Sequence, residues 1–129
     1  MTKQLNWAVN ILFVVLALLA LGWVWGVVTN WGEIESRPVR LAYIICDLFL
    51  VIPLGVAGGY GLKRGKSWGG PVFVLALGVL LFDIAHGMFY LIWDNYFGIP
   101  LWLGFILLAV LIVYTAFAIR ALMQSSPPA

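Results

Sequence analysis

Four long apolar runs dominate the chain, separated by short polar breaks. They cover approximately 7–28, 41–62, 69–93 and 101–122, and the three breaks read TNWGEIESRPVR, KRGKSW and DNYFGIP. A bilayer core about 30 Å thick is crossed by roughly 20 apolar residues in a helix, and each run meets that length. Hydrocarbon cannot hydrogen-bond backbone N–H and C=O groups, so a spanning segment must pair them internally. The runs are continuous rather than alternating, which selects helices over barrel strands. Short breaks make successive helices antiparallel neighbours. The pattern therefore predicts an all-α protein: one integral membrane four-helix antiparallel bundle over 1–129.

Proline and glycine positions refine this picture. Pro38, Pro71 and Pro100 fall at or near helix starts, where a missing N–H costs nothing. Pro53 lies inside the second run and predicts a kink there. Gly55, Gly58, Gly59 and Gly61 crowd the same run. In lipid, small residues let helix backbones approach closely, so these glycines are expected to pack against a neighbour.

Composition excludes the competing classes. The chain is 64% apolar and 9% charged, with a formal net charge of +2, one histidine and one cysteine. A soluble domain has roughly 25% charged residues. Near-neutral charge excludes a nucleic-acid-binding arm, and the lone Cys46 excludes an intramolecular disulfide. The first run is too long for a signal-peptide core and is expected to remain as an anchor. Lys3, Lys63, Arg64, Lys66 and Arg120 share one side, with Arg37 and Arg40 opposite. The positive-inside rule then predicts cytoplasmic N and C termini. Trp23, Trp25, Trp31, Trp93 and Trp102 gather toward the outer interface, and Trp7 and Trp68 toward the inner, as expected of aromatic belts.

Few polar groups interrupt the runs. Asp47 lies in the second, Asp83 and His86 in the third. Asp83, His86, Tyr90 and Asp94 recur at i, i+3, i+7 and i+11, and Arg40, Tyr43 and Asp47 at i, i+3 and i+7. Each set follows one helix face. An acid at a helix centre costs about 2.5–3.5 kcal/mol on the mild insertion scale, so both stripes should turn inward and face one another. The expected result is an outward-facing cleft lined by Asp47, Asp83, His86, Tyr43 and Tyr90, with Arg37 and Arg40 at its mouth. Similar depth is expected to place Asp47 beside His86.

Asp47, Asp83 and His86 are the candidate titrating or catalytic groups, and Tyr43, Tyr90, Arg40 and Arg37 the candidate binding groups. Carboxylates with one imidazole suit a borderline metal ion, but a single histidine argues against the usual zinc set, and no metal is expected. No nucleophile motif, phosphate loop or CxxC occurs, and no cofactor is specified. The leading reading is binding, with or without transport, of a small molecule or proton in the cleft. Its alternatives are a membrane-embedded enzyme using an Asp/His acid–base pair on a lipid-soluble substrate, and a structural or accessory subunit. The expected partners are the lipid bilayer and the small ligand or proton, and a homo-oligomer is compatible with the sequence.

Overall fold

The computed structural model describes residues 1–93 and 100–125. Its elements are α1 (Lys3–Glu35), α2 (Pro38–Cys46), a π-helical turn (Asp47–Val51), α3 (Ile52–Lys63), α4 (Gly69–Trp93) and α5 (Leu101–Ser125). Taken with the turn, α2 and α3 form one continuous rod, Pro38–Lys63. Four helical rods result, each long and apolar enough to cross a membrane.

Sequence chemistry sets the helix ends. The Thr2 hydroxyl accepts from the Leu5 N–H at 3.2 Å, capping α1. Gly65 takes a left-handed φ of 64° after α3, a conformation glycine adopts without a Cβ clash. There the N–H groups of Gly65 and Lys66 bond to the carbonyls of Leu62 and Gly61 at 3.0 and 2.9 Å, closing the helix end. Pro38 occupies the first position of α2.

One predicted boundary moves, and one predicted kink takes a specific form. The first rod continues past the expected end near Val28, through most of the polar break TNWGEIESRPVR, and reaches Glu35, broken at Asn30 (φ −137°, ψ 31°). After that break, the buried Ile34 folds back toward Gly26 and leaves a tight connection at Ser36 and Arg37. Ile34 is apolar and finds a buried seat, which outweighs the polar character of its neighbours. The kink expected at Pro53 takes the form of the π-helical turn just before it. Proline lacks an N–H and its ring crowds the carbonyl four residues back. The chain widens instead, and the Ile52 N–H bonds to the Asp47 carbonyl, five residues back.

The helices close most tightly where α3 meets α4. A Cβ placed on Gly58 would come within 2.6 Å of the Phe73 Cα, and one on Gly61 within 2.8 Å of the Gly69 Cα. Leu12, Leu16, Val51, Phe73, Leu77 and Leu80 fill the core beside this contact. The Tyr114 hydroxyl donates to the Ala8 carbonyl at 2.7 Å, tying α5 to α1. The start of α1 and the end of α5 lie at one end of the bundle, where the Thr2 and Ser125 hydroxyls meet at 2.8 Å. Lys63 Nζ donates to Asn10 Oδ1 at 2.6 Å nearby.

Candidate functional site

Toward the other end, α1, α2 and α4 surround a cavity of about 250 Å³. Its floor is the apolar core. Val51 and Leu80 each lie one turn from the acids, Asp47 and Asp83, on the side of the termini. Leu18, Leu19 and Gly22 contribute the α1 wall, and Ile84, Gly87 and Met88 the α4 wall. Trp23, Arg40, Tyr43, Asp47 and Asp83 bring polar groups to this apolar lining.

Asp47 is the centre of the polar group. It is 3% exposed and opens the π-helical turn. Its Oδ2 accepts from the Trp23 indole N–H of α1. Its carboxyl also comes within hydrogen-bonding range of the Asp83 carboxyl of α4. Asp47 Oδ1 is buried with no protein donor among the described residues. A carboxylate only accepts, so two carboxyls at this range complete a hydrogen bond only when one of them carries a proton.

Arg40, 4% exposed, lines the same cavity as the acids. Its Nη1 donates to the Glu33 carboxylate at 3.3 Å and to the Glu33 carbonyl at 3.4 Å. The kink at Asn30 makes this possible, because it returns the end of α1 over the start of α2. Arg37 precedes α2 as an exposed residue outside the cavity lining.

His86 corrects the expected Asp–His pairing. Asp47 meets Trp23 and Asp83, whereas Nδ1 of His86 hydrogen-bonds with the Tyr43 hydroxyl. A residue at i+3 from Asp83 is offset by about 60° around the helix. That offset carries His86 out of the narrow cavity onto an exposed face, where Phe82 stacks on it at 5.8 Å. Tyr90 is half-buried and packs against the Tyr43 ring at 6.1 Å, about 10 Å along the helix from Asp83 and outside the lining. Asp94 and the side chain of Trp93 lie outside the described residues. Among the described residues, no three His, Cys, Asp or Glu side chains converge.

With the fold and cavity defined, the chain can be placed among known proteins. A family described as a domain of unknown function, DUF8058, matches residues 1–126. The chain belongs to that family. No curated protein and no solved structure matches it. The cavity lies within the matched DUF8058 region, so its residues are part of the family's own domain.

Sequence reasoning missed the α1 wall. Trp23 read as a belt residue because it lies near a helix end. The available signal was local: Leu19, Gly22, Trp23 and Gly26 share one face, where two glycines flank the indole and clear space beside it.

Proposed function

We propose that this DUF8058 protein is an integral membrane protein with cytoplasmic termini, and that its cavity binds a small molecule or proton at the Asp47–Asp83 pair. The observation that carries this reading is the pair itself. Two acids from different helices converge on an apolar cavity, and one of them is almost fully buried with an oxygen that lacks a protein donor among the described residues. Acids placed in a membrane span mark a functional site by default.

Other features support membrane insertion. Val28, Phe49, Phe82 and Val113 expose 78, 76, 72 and 69% of their surfaces, which suits acyl chains and not water. The basic end carrying Lys3 and the 63–66 loop then faces the cytoplasm. The cavity lies in the outer half, and packed core residues block the way to the inner half. That blockage favours a binding pocket over a continuous path in this conformation. The volume is slightly below the roughly 300–1,000 Å³ of drug-sized pockets, so the ligand is small.

A thermal-shift screen of the full chain in micelles tests the proposal, using small amphipathic cations, anions and neutral compounds. Compounds that stabilise the protein are expected to lose at least tenfold in affinity, about 1.4 kcal/mol, in Asp47→Asn and in Asp83→Asn. Both variants should still insert and stay folded by circular dichroism. Full retention of every stabilising compound by both folded variants would remove the acids from the site.

One observation favours a second reading, an accessory subunit. His86 and Phe82 form an exposed stacked pair on the outside of the bundle, and a polar ring there suits a protein neighbour better than lipid. In that case His86→Ala changes the size of the purified complex and leaves compound binding unaltered. A complex of unchanged size would exclude the contact.

A further inference from the structure

Three features of the cavity specify a ligand class, given the binding role proposed above. The first is charge. Asp47 and Asp83 supply two acidic groups to the lining against the single guanidinium of Arg40, whose Nη1 pairs with Glu33. The second is aromatic surface. Trp23 and Tyr43 both line the cavity beside the acids, and aromatic faces attract cations, quaternary ammonium groups in particular. The third is the remaining wall of Leu18, Leu19, Ile84 and Met88, which accepts an apolar body and offers it no hydrogen bonds.

We infer that the cavity binds a small amphipathic organic cation, whose positive centre replaces the proton shared by Asp47 and Asp83. Two carboxyls in contact in an apolar site do not both ionise easily, because like charges there repel strongly. One proton holds the pair together. A cation seated against both oxygens removes that need, and the proton leaves for the outer aqueous side. The exchange balances: one positive charge enters and one leaves. The other titratable groups that line the cavity are Tyr43 and Arg40, both from α2; α1 contributes only the neutral indole, and α3 and α5 contribute no lining residue. His86 faces Tyr43 from outside the cavity.

The test compares two probes of nearly equal shape on the wild-type full chain in micelles. Benzyltrimethylammonium carries a permanent charge and no exchangeable proton. Neopentylbenzene is its neutral carbon isostere. Thermal stabilisation ranks their affinities, and calorimetry of the cation in two buffers with different ionisation heats counts released protons. The expected result is at least tenfold tighter binding of the cation, with a net release approaching one proton per site as the buffer is made more acidic. Any proton counted must come from the protein, since neither probe holds one.

Equal affinities, tighter binding of the isostere, or cation binding with no proton release at any pH would overturn the inference. Stabilisation by neither probe would overturn it as well. The broader binding role stands or falls separately, on whether any compound in the wider screen depends on both acids.

Discussion

At the scale of single residues, Trp23 offers the most direct test of the site's architecture. Its ring forms part of the cavity wall and its N–H reaches Asp47. Trp23→Phe keeps an aromatic ring while removing the donor and part of the indole's volume. A hydrogen bond to a charged partner contributes about 1.5–3 kcal/mol, and loss of that size is expected in the unfolding free energy in micelles. An unchanged value would show that the indole–carboxyl contact adds nothing. Tyr114→Phe provides a contrast away from the cavity. Its hydroxyl donates to the neutral Ala8 carbonyl, so the expected loss is about 0.5–1.5 kcal/mol with ligand binding intact. The stripe on the second rod was legible in the sequence, because Arg40, Tyr43 and Asp47 all reach the cavity. The stripe on the third was only partly so. A strict i, i+3 reading ignores the 60° offset that takes His86 to another face.

At the scale of elements, the π-helical turn and the α3–α4 contact decide the geometry. One extra residue in a turn rotates the helix on its C-terminal side by about 100° relative to the helix on its N-terminal side. The turn thus sets how Asp47 and the α2 face are aimed relative to α3, which is clamped against α4. Pro53→Ala restores an N–H and allows an ordinary α-helical turn. The expected outcome is weaker compound binding in the thermal-shift screen with helix content by circular dichroism unchanged. Binding equal to wild type would mean that the turn does not depend on the proline. At the clamp, a methyl on Gly58 would strike the Phe73 backbone, and backbone yields less readily than a side-chain tip. Gly58→Ala should destabilise by about 1–3 kcal/mol, seen as a lower unfolding midpoint in micelles. The predicted role of these glycines in close packing matches the structure, because absence of a side chain in a span already implies close approach in lipid. The π-helical form of the Pro53 defect was not legible, since a proline permits several local solutions.

At the scale of the whole molecule, the bundle separates a sealed half from a hollow half. The sealed half carries the start of α1, the end of α5 and the 63–66 basic loop, and the hollow half carries Glu33, Glu35 and Arg37. Orientation is set by the asymmetry of positive charge and is testable in cells. With Cys46 replaced by Ala, single cysteines at Ser36 and Ser67 occupy exposed positions at opposite ends. A membrane-impermeant thiol reagent added outside is expected to label Ser36→Cys and to spare Ser67→Cys. The reverse pattern would invert the topology and place the cavity toward the cytoplasm.

The sequence by itself determined the number of helices, their approximate positions and the rods that carry the cavity's acids. These features come from length, apolar continuity and the cost of leaving polar groups in hydrocarbon, all properties of local sequence. Tertiary structure alone decided which polar groups meet. Asp47 could have found His86, Asp83 or Trp23 as a partner, and the choice depends on helix rotation. A kink at Asn30, a widened turn at Asp47 and a glycine clamp fix that rotation. Contacts between helices depend on relative phase and spacing, which no pattern within a single helix encodes.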